Sequence, residues 1–130
     1  MEDIILVKRS SHTQLRTFKH PVIKLELKHS RFIVSDIVAK ALSVDDNDGL
    51  MFGFNQAAKT AYVIKDDEYD AFKLSRKDSH TLRFSSKDLM LFFDRTFSLS
   101  ETGRKSFVFS VDLQANSKGF HAISLAQLPL

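Results

Sequence analysis

The chain is 130 residues long, enough for one domain with its own core and too short for two ordinary ones. Hydrophobic residues make up 43% and charged residues 27%, and the formal net charge of +3 permits a polyanionic partner without demanding one. There are no cysteines, which excludes disulfides, thiolate zinc sites and Cys nucleophiles together and fits a reducing, cytoplasmic setting.

In chain order, Met1-Glu2-Asp3 with Ile4 to Val7 does not make a signal peptide, because the start is acidic and the apolar run too short. No stretch approaches a membrane-spanning length, so no membrane partner is expected. Ile4 to Val7 reads as a brief strand, and KRSSHTQLRTFKH (8–20) as polar and basic without a period. Residues 1–21 are thus expected to form a basic N-terminal arm or an edge strand, ahead of a single domain over 22–130. VIKLELK (22–28) alternates, with Ile23, Leu25 and Leu27 on one face, which predicts a half-buried strand.

His29-Ser30 makes a tight connection into a second strand, RFIV, and Ser35 is the expected N-cap of a helix with Ile37, Val38, Ala41 and Leu42 as its buried stripe. VDDND-Gly49 is the turn out, followed by strands LMFGF (50–54) and AYVIK (61–65) and an acidic turn, DDEYD (66–70). The order then recurs. AFKLSRK (71–77) and TLRF are strands, Ser85 or Ser86 caps a helix with Leu89, Met90, Phe92, Phe93 and Phe97 inward, and FVFSV (107–111) and FHAISL (120–125) close the chain.

The repeat survives counting: Leu42 to Phe52 and Phe97 to Phe107 are both ten positions, with Val44 matching Leu99 and Phe54 matching Phe109. The second helix is longer by three residues, close to one turn, which keeps its apolar face nearly in phase. The expected fold is therefore α+β and mostly β, with two fused β-β-α-β-β repeats (22–66 and 71–126) forming one pseudo-twofold, barrel-like domain. Leu42, Phe52, Phe54, Phe97, Phe107 and Phe109 recur in matched positions and are expected in its core.

A unit of this kind, with Leu42-Ser43-Val44-Asp45-Asp46-Asn47-Asp48-Gly49-Leu50 leaving the helix, resembles the AbrB/MraZ-like swapped-hairpin barrels. Asp48 falls where that family has its turn Asp, Arg31 where it has a basic strand opening, and Lys40 near its basic helix end. Ser35 stands in place of the family's Pro at the helix start, and Ser43 in place of the Gly after the Leu. The resemblance implies two interlocked hairpin units and binding to DNA.

Charge is segregated along the chain. Residues 1–40 hold eight Lys/Arg against four acids, residues 41–72 two against seven, and residues 73–95 six against three. Pairing of the repeats about a twofold would bring Lys24, Lys28 and Arg31 together with Lys73, Arg76, Lys77 and Arg83, with Lys40 beside them, as one basic face for phosphates. The partner expected is DNA, in duplex form, with a homo-oligomer also allowed.

Nothing points to an enzyme. There is no Walker loop, nucleophile elbow or dinucleotide fingerprint, and no small-molecule substrate or cofactor is expected. The five histidines (His12, His20, His29, His80, His121) show no helix-spaced metal pair. Asp46-Asn47-Asp48-Gly49 fails as a calcium loop, because the first and twelfth ligand positions hold Val44 and Asn55. The best reading is a non-enzymatic DNA-binding protein, a small regulator of transcription or an architectural binder. The alternatives are a structural or interaction module of a larger assembly, such as a phage particle, and a clamp-like or single-strand-binding protein. The last would need Phe side chains exposed beside the basic strands.

Overall fold

In the computed structural model, which describes residues 20–76 and 78–126, the alternating run Val22–Glu26 forms strand β1 and buries Ile23 and Leu25 completely. The strand ends earlier than its alternation suggests. Leu27–His29 tightens into a 3-10 turn closed by the Ser30 amide donating to the Leu27 carbonyl at 3.2 Å, while the Leu27 amide still donates to the Lys105 carbonyl at 2.9 Å in register with the β1–β8 ladder. Strand β2 (Arg31–Ser35), helix α1 (Asp36–Leu42) and strands β3 (Gly49–Asn55) and β4 (Thr60–Lys65) follow. Two short strands, β5 (Phe72–Lys73) and β6 (Ser75–Arg76), precede β7 (Thr81–Ser85), helix α2 (Lys87–Phe97), β8 (Ser106–Val111) and β9 (His121–Leu125).

All strands join one antiparallel sheet in the order β5-β3-β4-β9-β8-β1-β2-β7-β6. Its two outermost strands are separated in the chain by Leu74 alone, so the ends of the sheet meet and the sheet curls into a nearly closed barrel. AFKLSRK is thus a broken strand rather than one run: β5 pairs with β3, β6 pairs with β7, and buried Leu74 sits at the break.

The core lies inside this barrel. Phe32, Phe109, Leu50, Val63, Leu82 and Ile123 reach it from the strands, and Val38, Ala39, Leu42, Leu89, Phe93 and Phe97 from the helices. Of the expected core residues Leu42, Phe97, Phe107 and Phe109 are buried, while Phe52 and Phe54 are only half-buried. In α1 the buried stripe is Val38, Ala39 and Leu42; Ala41 is exposed, one step off the inward face. In α2 Leu89, Phe93, Thr96 and Phe97 turn inward, and Phe92 turns out.

Both helices begin on a serine cap. Ser35 Oγ accepts from the Val38 amide at 3.5 Å and also from the Val22 amide at 3.2 Å, while Ser86 Oγ accepts from the Leu89 amide at 3.1 Å. Both also end on a serine in the left-handed conformation, Ser43 at φ 59° and Ser98 at φ 56°, a conformation that glycine takes more easily. Among the described residues no helix is long and apolar enough to cross a membrane. The N-terminal segment expected to be an arm or edge strand lies, apart from its last two residues, outside the described residues, as does Lys77.

Candidate nucleic-acid interface

The outer side of the β1-β2-β7 sheet carries the first group of candidate residues. Lys24 stands opposite Ile33, and Ile33 opposite Arg83, so the two cations flank Ile33 in one cross-strand row. Arg31 lies two residues from Ile33 on β2, which makes it a diagonal neighbour of Arg83. Ile33 is buried even though it points outward. Arg83 Nε is itself buried without a hydrogen-bond partner among the described residues.

The remaining candidates divide between the two ends of the β2–β7 ladder. At one end, where Arg31 faces Ser85, the Ser86 amide donates to the Ser30 carbonyl at 3.0 Å. That bond seats the β1–β2 turn against the start of α2. The Leu27–Lys105 backbone bond brings the segment before β8 to the same turn. Lys28, His29, Lys87, Arg104 and Lys105 are therefore gathered here, all exposed. Arg31 belongs to this end too and holds Glu26 at 3.3 Å, an ion pair exposed enough to exchange for a phosphate at little cost.

At the other end, where Ser35 faces Thr81, the Asp36 amide donates to the His80 carbonyl at 2.9 Å. The charge there is the reverse. Arg76 Nε donates to Asp45 Oδ1 at 2.7 Å, one Arg76 terminal nitrogen to Asp36 Oδ1 at 3.1 Å, and the other to the Asp78 carbonyl at 3.1 Å. The Arg76 amide adds a bond to Asp46 Oδ1 at 2.8 Å. Arg76 thus fastens the acidic turn to β6 and to the start of α1. Lys40, one helical turn along, also pairs with Asp36, at 3.2 Å.

The titration of these carboxyls follows from their neighbours. The hydrogen bond from Arg76, then that from the Asp46 amide, holds the Asp45 carboxyl below its ordinary value. Desolvation pushes Asp36 up, but hydrogen bonds from Lys40 and Arg76 outweigh it and leave the carboxyl lowered. Asp78 is lowered by the His80 amide and by Thr81, against a desolvation penalty. Arg76 is raised in turn, by Asp45 first.

Of the residues singled out in the sequence, Lys28 and Arg31 lie at the basic end, with Lys24 and Arg83 on the adjoining outer face. Arg76 and Lys40 belong to the acidic end, and Lys73 is exposed on β5 beside the acidic turn, opposite Gly49. Sequence reasoning passed over Arg104, Lys105 and Lys87. Arg104 and Lys105 are placed by the pairing of β1 with β8 and Lys87 by that of β2 with β7, contacts between distant segments that no local pattern announces. Among the described residues no group of three or more His, Asp or Glu side chains is placed to hold a metal ion. No protein-family model, curated protein or solved structure gives a significant match to this chain.

Proposed function

We propose that this chain is a non-enzymatic nucleic-acid-binding barrel of the AbrB/MraZ-like swapped-hairpin kind, built from two fused β-β-α-β-β units. The sheet order supports the two-unit reading. β2 pairs with β7 and β4 with β9, joining like strand to like strand, and β1·β8 and β5·β3 cross between the units. Phe32 and Phe84 hold matching positions in the units and stand directly opposite each other in the β2–β7 ladder. The likeness is inexact: β1 meets β8 over five residues and β5 meets β3 over two.

The observation that carries the functional reading is the gathering of Lys28, Lys87, Arg104 and Lys105 around the β1–β2 turn by two backbone hydrogen bonds. The acids gathered by Arg76 lie at the far end of the ladder, about four strand steps or ~14 Å away, while at the basic end Glu26 is paired with Arg31 and Asp88 stands beside Lys87. A surface on which Lys28, Arg31, Lys87, Arg104 and Lys105 outnumber Glu26 and Asp88 attracts phosphates, and the attraction weakens steeply with salt. Lys24 and Arg83 extend it along the outer face. Binding would thus be centred on one end of the barrel rather than spread symmetrically over both repeats.

The test is fluorescence anisotropy with labelled single-stranded and duplex DNA at several salt concentrations. Retention at low salt that falls linearly on a log–log plot supports the reading. Absence of retention on either form at low salt ends it, and leaves the chain as a structural or interaction module.

A further inference from the structure

An aromatic cleft adjoins the basic end. β5 pairs with β3 only at Gly49 and Leu50, so the edge of β3 from Met51 to Asn55 is not covered by β5. Helix α2 packs against this part of β3, and between them is an open cleft of about 360 Å³ lined by Phe52, Gly53, Phe54, Phe72, Leu89, Phe92 and Asp88. Phe92 is 47% exposed and stacks on Phe54, with ring centroids 5.4 Å apart and planes 19° apart. A side chain at Gly53 would meet nothing within 4 Å, so the backbone there is open to close approach.

The cleft is continuous with the cationic surface through α2. Asp88 and Leu89 in its wall follow Lys87 directly, and Ser86 just before them is bonded to the β1–β2 turn. At the far side of Phe92, Arg95 lies over the ring at 5.9 Å from its centroid. An exposed cation–π contact of that kind is weak, so the guanidinium can turn to a phosphate. Lys87 and Arg95 are eight residues apart on the helix, about 12 Å by the helical rise, one before and one after Phe92 along its axis.

We infer that the cleft receives an unpaired base of a single-stranded nucleic acid, with Lys87 and Arg95 on the phosphates either side of it. The inference rests on the nucleic-acid reading above and narrows it to single strands. The aromatic face supplies stacking that every base can use, and the Asp88 carboxylate can accept a hydrogen bond from a base N–H. A duplex keeps its bases stacked on one another and has none to offer, so it meets the cations alone.

The chain contains no tryptophan, which makes a decisive probe available: Phe92→Trp introduces a single indole at the cleft. Titration with an oligothymidine of about 12 nucleotides, within the usual span of single-strand sites, is expected to quench the indole emission to saturation, whereas a duplex of equal length does not. Phe92→Ala, at a position 47% exposed, is expected to weaken single-strand binding by about 5- to 150-fold, as lost stacking does, and to leave duplex binding unchanged, with the variant's melting midpoint measured alongside. Salt-dependent binding of the strand with unchanged emission and unchanged Phe92→Ala affinity overturns the inference while the basic surface stands. Failure of both DNA forms to bind overturns the inference together with the reading beneath it.

Discussion

The rings of Phe32 and Phe84 stack across the β2–β7 ladder, centroids 4.9 Å apart and planes 6° apart, on residues that face each other directly. Phe52, Phe72 and Phe93 pack around the pair, with centroid distances of 5.3–6.4 Å to one or both rings. Aromatic contacts of this geometry contribute beyond the area they bury. Phe32→Ala is expected to cost about 3–5 kcal/mol of unfolding free energy in urea denaturation. In a double-mutant cycle with Phe84→Leu the two are expected to couple by about 0.5–1.5 kcal/mol.

Arg76 makes the fold sensitive to acid. Asp36 and Asp45, both bound to Arg76, titrate lower in the folded chain than they do unfolded, and so does Asp78 through the His80 amide and Thr81. The stability they contribute is complete above the unfolded carboxylate pKa of about 4 and is lost as pH falls from there through the lower folded values. Thermal scans are expected to show a flat midpoint from pH 7 to about 5 and a fall below about 4. Arg76→Met is expected to lower the melting midpoint at pH 7 and to make the acid-induced fall shallower.

Two glycines of β3 should respond to alanine to different degrees. A Cβ at Gly49 would sit 2.5 Å from the Asp66 carbonyl oxygen and 2.6 Å from Ala71 Cβ, so backbone must move. Gly49→Ala is expected to lose about 1–3 kcal/mol. Gly53→Ala, with open space around it, is expected to change stability by less than about 1 kcal/mol. Parallel denaturation curves decide the comparison.

The serine caps differ in what depends on them. Ser86 Oγ accepts from Leu89 alone, whereas buried Ser35 Oγ also satisfies the Val22 amide. Ser86→Ala is expected to cost about 1 kcal/mol. Ser35→Ala should cost more, about 2–3 kcal/mol, because it leaves a buried backbone donor unpaired.

The local elements were legible because their signals are local. Alternation marked β1, serine marked both helix starts, and the acidic turn after Leu42 was placed correctly. The lack of glycine at Ser43 did not prevent the left-handed helix end, since the Asp45–Asp48 turn and its bonds to Leu74 and Arg76 hold the chain in place. Charge along the chain proved a poorer guide than charge across the sheet. Arg76 lies in a basic stretch of sequence yet folds against Asp36 and Asp45, while Arg104 and Lys105 come from a stretch that is almost neutral. Phe92 reads as core from its neighbours, but the step of the helix turns it outward.

The central claim is that phosphates are met at the β1–β2 turn, and the salt dependence of DNA affinity tests it most directly. The parent chain is compared with the triple variant Lys28→Gln, Lys87→Gln, Lys105→Gln and with the control Lys40→Gln, Lys73→Gln. The triple variant is expected to flatten the log–log slope by about 2–3, at roughly 0.7 per contact on single strands and 0.9 on duplex, while the control keeps the parent slope. A triple variant with the parent slope, or a control that loses as much, would contradict the account.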